Sequence, residues 1–387
     1  MIKLKKTHIL VLLIILLVVI SGCKIKGGKK KAEKSLEEIR TGTEGIMVGF
    51  LPNTPPDKIP VDKANNIFDV VLEVKNKGAY PQPADTDALR AGFGYLFGYV
   101  YLSGFDDNII TFQSRKAGVL EAGNVGRIDA RTFEGKSTIN PNGGLDLLEF
   151  KGTVTVQNLN VEKYEPTLQA TACYVYETIA GPPVCIDPNP YSTVKEKKVC
   201  EVQPVTLTNQ GAPVAVTRID EEALSGRTQF KITIKNVGGG DVLRDGDGAI
   251  IKKCNPAEQL RIERGDIDKV KVVNVKIANQ ELICGPFAEV SPGISKGQDI
   301  TRAVQGWIRL INGEGFVICE MPRDPTKKTA YTTPLTIRLH YGYRTTIEKK
   351  IQIKNEAFSS IRRAEEGGTS VAESPSEQGD VFDSSIG

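Results

Sequence analysis

Few residues in this chain combine a reactive type with a useful spacing, so each can be weighed singly. Histidine occurs twice, at His8 and His340. That excludes a multi-histidine metal site and leaves His340 as the one imidazole base available past the N-terminal segment. His340 stands between Leu339 and Tyr341, facing away from the tyrosines, with no nucleophile motif around it. A side chain on a sheet surface is its ordinary reading. Asp241, Asp245 and Asp247 cluster in GGGDVLRDGDGA, and carboxylate oxygens in a loop can bind calcium. Counted from Asp245, however, Ala249 and Ile250 occupy the fifth and sixth places of the calcium-loop pattern, and a solvated turn explains the same acids. Asp106, Asp107 and Asn108 repeat the case more weakly. Gly92, Gly94 and Gly98 look like a phosphate loop, but the last glycine falls one place late and the run leads into a strand. The alternating Phe93, Tyr95, Phe97 and Tyr99 are a core face or, if exposed, a partner-binding patch. Trp307 is the sole tryptophan and lies in an apolar run suited to a core. The sequence carries no cofactor motif.

The remaining chemistry is that of sulfur. Cysteines stand at positions 23, 173, 185, 200, 254, 284 and 319, with no C-x-x-C pair among them. Zinc-ribbon and thioredoxin readings therefore have no footing. Cys23 ends a basic stretch, with Lys3, Lys5 and Lys6, followed by an apolar run from Ile9 to Ile20. That run is too short for a bilayer span, which needs roughly 20 residues, and fits a secretory signal segment over 1–22. Ile20-Ser21-Gly22-Cys23 resembles the lipobox of prokaryotic lipoproteins. The resemblance implies cleavage before Cys23 and lipid on its sulfur and new amino group; the alternative is an uncleaved signal anchor. Either way the rest of the chain faces an oxidising, extracytoplasmic space, with 23–44 as a basic linker against the membrane surface. The even set Cys173, Cys185, Cys200, Cys254, Cys284 and Cys319 then reads as structural disulfides. Cys185 with Cys200 and Cys284 with Cys319 are the pairings that turns and neighbouring strands favour; six cysteines allow about 15 connectivities, and nothing in the sequence pairs Cys173 or Cys254.

The elements that must position these residues repeat. Val70–Gly78 (VVLEVKNKG) matches Phe230–Gly238 (FKITIKNVG) at an offset of 160 residues. Leu168–Thr178 matches Leu335–Thr345 at an offset of 167, each with a Tyr-x-Tyr pair. Apolar residues at every second position mark half-buried strands, and two similar offsets in one order mark a tandem duplication. The 38 glycines and 21 prolines suit many turns between short strands. The expected fold is all-β: two tandem immunoglobulin-like β-sandwich domains at 45–205 and 210–356, joined near Thr206–Val214. The only helical stretch is Leu36–Arg40. Residues 357–387 are acidic, rich in Ser and Gly, and read as a disordered tail.

The Asn-x-Gly strand ending resembles the adhesion-related, CARDB-type immunoglobulin-like modules of bacterial and archaeal surface proteins. The whole arrangement is similar to archaeal surface lipoproteins. The Tyr-x-Tyr strand resembles the tyrosine-corner strand of immunoglobulin folds, yet a tyrosine stands where that pattern has cysteine, so no binding residue carries over. Loss of the three early lysines takes the formal charge from +3 to zero, which does not suggest nucleic acid. The expected function is a membrane-anchored, non-enzymatic lipoprotein that binds protein or scaffolds the envelope. A ligand- or glycan-binding lipoprotein is the second reading and a hydrolase the third.

Overall fold

Period-two alternation places one face of a strand in the core, and the computed structural model is all-β on that pattern. It describes residues 39–83, 85, 90, 95–116, 119–192, 198–246, 248–258, 260–290, 301–356 and 358. The signal segment with Cys23, the lysine run, Asp247, Phe93 and, apart from Phe358, the acidic tail lie outside the described residues.

In the first repeat the principal strands are β1 (Ile46–Phe50), β2 (Ile67–Asn76), β3 (Leu96–Ser103), β4 (Leu145–Val154) and β5 (Thr167–Ala180). In the second they are β6 (Val205–Thr206), β7 (Val214–Ala223), β8 (Arg227–Asn236), β9 (Lys269–Ile277), β10 (Glu314–Pro322) and β11 (Tyr331–Lys350). Each repeat keeps one five-stranded sheet. The first runs β1-β2-β4 and on through Ile110–Lys116 and Val119–Ala122; the second runs β6-β7-β8-β10 and on to Ile283–Gly285. The faces expected to be buried are buried: Val70, Leu72 and Val74 in β2, and Phe230, Ile232 and Ile234 in β8, are fully inaccessible.

The third large sheet belongs to both repeats. Its middle strands run β9-β11-β5-β3, so the last strands of the two repeats lie side by side. Strands from either side of the 205–210 joint thus share one sheet, and the described residues all fall in one compact unit. The joint packs back on β7, where Leu207 N–H donates to Thr217 C=O at 3.0 Å.

β5 and β11 pair antiparallel along all of β5, with Tyr174 opposite Tyr343, Val175 opposite Gly342 and Tyr176 opposite Tyr341. Under the repeat offset, Val175 and Gly342 are equivalent residues. A local two-fold axis therefore passes through that pair and relates one half to the other. Around it the four tyrosines are essentially fully buried, with neighbouring ring centroids 5.7–6.4 Å apart and tilted or edge-on.

The tyrosines explain the repeated Lys-Asn-x-Gly ending. Tyr176 donates its hydroxyl hydrogen to Asn76 Oδ1 (3.2 Å) and accepts from Tyr80 N–H (3.2 Å). Tyr343 repeats both bonds with Asn236 Oδ1 (3.1 Å) and Gly240 N–H (2.8 Å). Each asparagine also donates Nδ2 to the carbonyl four residues on, Tyr80 or Gly240. A Cβ at Gly78 or Gly238 would overlap the tyrosine hydroxyl, so glycine is required for the close approach. Tyr174 and Tyr341 take the N–H groups of Ile46 (3.1 Å) and Val214 (3.3 Å), the first residues of β1 and β7.

The six described cysteines form three pairs at disulfide distance: Cys185 with Cys200, Cys284 with Cys319, and Cys173 with Cys254. The last ties the first repeat to a short helix, α1 (Ala249–Lys253), which the sequence did not announce. Ile250 and Ile251 of α1 are buried, and a Cβ on Gly342 would lie 2.9 Å from Ile250. α1 thus covers the two-fold axis on the face of the shared sheet opposite the tyrosines.

Candidate functional site

The densest group of ionisable side chains lies on that same outer face. Alternation directs Glu177, on β5, and Arg338 and His340, on β11, away from the tyrosine core, and Glu177 sits directly opposite His340 in the strand register. The loop before α1 adds Asp245, whose side chain is completely buried. His340 Nε2 lies 2.6 Å from Asp245 Oδ2, and its Nδ1 lies 3.1 Å from Glu177 Oε1. Arg338 Nε donates to Glu177 Oε2 at 2.6 Å, and its guanidinium reaches Asp85 Oδ1 at 3.5 Å. Asp245 Oδ1 also accepts Ile250 N–H at 3.1 Å, which couples the cluster to α1.

Two carboxylates on one imidazole favour its cation. Burial alone lowers the imidazole pKa, but the hydrogen bonds and charges of Asp245 and Glu177 outweigh it and raise His340 to about 9. Burial likewise pushes the Glu177 carboxyl up, yet His340 and Arg338 more than offset this and hold it below the usual glutamate range. Burial holds Asp85 above the ordinary aspartate range. His340 is therefore an imidazolium at neutral pH, donating from both nitrogens. No serine, threonine or cysteine side chain bonds to it among the described residues, and an imidazole in that state accepts no proton. The arrangement fastens loop to sheet.

The other candidates divide by their partners. Asp241 is exposed and paired with Arg344 at 2.7 Å, while Asp245 belongs to His340, so these two carboxylates face different cations. Asp106 Oδ1 accepts Asn108 N–H at 2.9 Å, a local turn. Phe97 is fully buried, and Tyr95 and Tyr99 are half-buried against the core. Trp307 is buried, with the Arg244 guanidinium 4.7 Å and the Lys271 ammonium 5.0 Å from its ring centroid. No motif singles out Glu177, Arg338 or Asp85. The signal for the first two was the register: once β5 and β11 pair about Val175 and Gly342, Glu177 must face His340.

Two depressions flank the two-fold axis. One of about 550 Å³ lies among Ile179–Pro183, Val205–Gln210 and the start of β11. Another of about 200 Å³ lies along β1, against Tyr174, Pro213, Tyr343 and Ile347. No protein-family model matches this chain, and no curated protein matches it.

Proposed function

We propose that this chain is a membrane-anchored, extracytoplasmic lipoprotein without enzymatic activity. Its two immunoglobulin-like, CARDB-type repeats act as a fused, protein-binding or scaffolding head. The observation that carries this reading is the pairing of all six cysteines beyond Cys23 at disulfide distance, which suits an oxidising compartment. The lipobox-like residues before Cys23 supply the anchor, and the basic linker strengthens it at an anionic surface. The absence of enzymatic activity is supported by the cluster at His340, where each ionisable group is spent on another. The glycan-binding alternative gains little from the larger depression, because no aromatic ring lines it among the described residues.

Membrane fractionation tests the reading. The mature protein should pellet with membrane, and Cys23→Ser should release it or leave the precursor uncut. A wild-type protein recovered in the soluble fraction, or peptide mapping that finds the six cysteines as free thiols, would overturn it.

A further inference from the structure

The two halves differ at one pair of equivalent strand edges. β1 and β7 are matched by their tyrosine bonds, which makes Ile46 equivalent to Val214 and Val48 equivalent to Val216. In β1, Gly45 C=O accepts Lys77 N–H and Leu51 N–H donates to Val71 C=O. Odd-numbered residues therefore bond to β2, and the N–H and C=O of Val48 and Phe50 point to the outer edge. In β7 the corresponding edge is covered by the chain itself. β6 pairs antiparallel with it, Val205 opposite Ile219 and Thr206 opposite Arg218. The Gln210 side chain then brackets Val216, accepting its N–H at 2.9 Å and donating to its C=O at 3.1 Å.

β1 has no such cover. Among the described residues nothing bonds to the outward N–H or C=O of Val48 or Phe50. The place of Gln210 falls on Gly42 in the first repeat, which has no side chain. Instead Gly42 C=O accepts Gly211 N–H, so the chain there leads towards the second repeat. On the covered side, Thr178 Oγ1 donates to Val214 C=O at 2.6 Å and Ala79 N–H donates to Gly211 C=O at 2.7 Å. Their equivalents, Thr345 and Gly239, line the open 200 Å³ depression beside Val48.

We infer that the β1 edge is a strand-addition site, which takes an extended segment of a partner protein antiparallel to β1 with an amide side chain, Gln or Asn, facing Val48. The template is the chain's own: β6 and Gln210 show what the equivalent edge binds when it is filled, on a β7 that carries a bulge between Val216 and Arg218 where β1 pairs without one. Backbone bonds would supply affinity, and the apolar walls Ile46, Tyr174, Pro213 and Ile347 would select an uncharged strand. This rests on the protein-binding reading above and names its surface.

The test uses the full chain and a synthetic copy of its own covering strand, Gln203–Ala212 (QPVTLTNQGA). In the free protein the Val48 amide should exchange with solvent much faster than that of Val216. The peptide should bind saturably and slow the Val48 amide. Val48→Pro removes the outward N–H without touching a β1–β2 bond and should weaken peptide binding about tenfold or more. Gly239→Ile adds bulk where a Cβ meets no neighbour; it should weaken binding while leaving the fold intact if Val48→Pro proves unstable. A Val48 amide as protected as that of Val216 in the free chain would overturn the site, and so would peptide binding indifferent to both variants. Protection that grows only with protein concentration would assign the edge to a second copy and overturn the partner assignment. None of these outcomes alters membrane partition, so failure here is distinct from failure of the anchored-lipoprotein reading.

Discussion

Replacing Leu72 with alanine in the first repeat, or Ile232 in the second, truncates a fully buried side chain in one five-stranded sheet. Such a truncation costs about 2–5 kcal/mol, depending on how far the neighbours relax. What the rest of the molecule does depends on the shared sheet. Separating the halves would break the pairing of all 14 residues of β5 with β11. It would also expose the tyrosine cluster. Uncovering about half of those four side chains, about 400 Å² of surface, forfeits about 10 kcal/mol. That equals the whole stability of an ordinary domain, roughly 5–15 kcal/mol, so neither half should survive unfolding of the other. We therefore expect one cooperative transition in urea with the disulfides intact. Leu72→Ala and Ile232→Ala should each lower its midpoint without changing its slope. Circular dichroism and the fluorescence of Trp307, in the second repeat, should report coincident curves. Two resolved transitions, one moved by Leu72→Ala and the other by Ile232→Ala, would refute the coupling and restore two independent domains.

Two further outcomes follow from named groups. Tyr343→Phe leaves Gly240 N–H and Asn236 Oδ1 without the hydroxyl and should cost about 1–3 kcal/mol; combined with Asn236→Ala the loss should fall short of additive by at least about 0.5 kcal/mol, and strict additivity in denaturant titrations would show that the lock is not a unit. For His340 the folded pKa of about 9 lies above the unfolded value of roughly 6.5, so its contribution, of order 3 kcal/mol, is complete below about pH 6.5 and is lost as pH rises through 9. Wild-type unfolding free energy should fall towards that of His340→Gln over this window, and a difference independent of pH would refute an imidazolium held by Asp245 and Glu177.

The strands were legible because burial on one face writes itself at period two. Val70, Leu72 and Val74 could be assigned to a core face with no knowledge of what packs on them. The duplication was legible for the same reason, together with the Asn-x-Gly ending. Its physical meaning was not: Asn76 and Tyr176 are 100 residues apart, and nothing local says that one grips the other. The shared sheet was hidden more deeply, since two strands of similar sequence can lie in separate sheets or pair with each other, and only long-range register decides. His340 suffered most. Its neighbours Leu339 and Tyr341 describe a strand correctly, whereas Glu177 reaches it through that register and Asp245 through the loop before α1, turning a surface imidazole into a nearly enclosed cation.

The register also explains why a duplicated chain cannot be wholly symmetric. A segment lying across a two-fold axis excludes its own symmetry mate, because the second copy would need the same space. α1 occupies that position over Val175 and Gly342, so only one repeat can supply it. The asymmetric segment must still be held at equivalent points of a symmetric sheet. Those points are Cys173 and His340, related by the repeat offset of 167 residues. One is joined to Cys254 at the end of α1, the other to Asp245 just before it. The single cover over the two-fold axis is thus held at equivalent sites by one covalent and one ionic anchor. The covered edge of β7 and the open edge of β1 are the same divergence at the rim, where a site can open without unbalancing the tyrosine core.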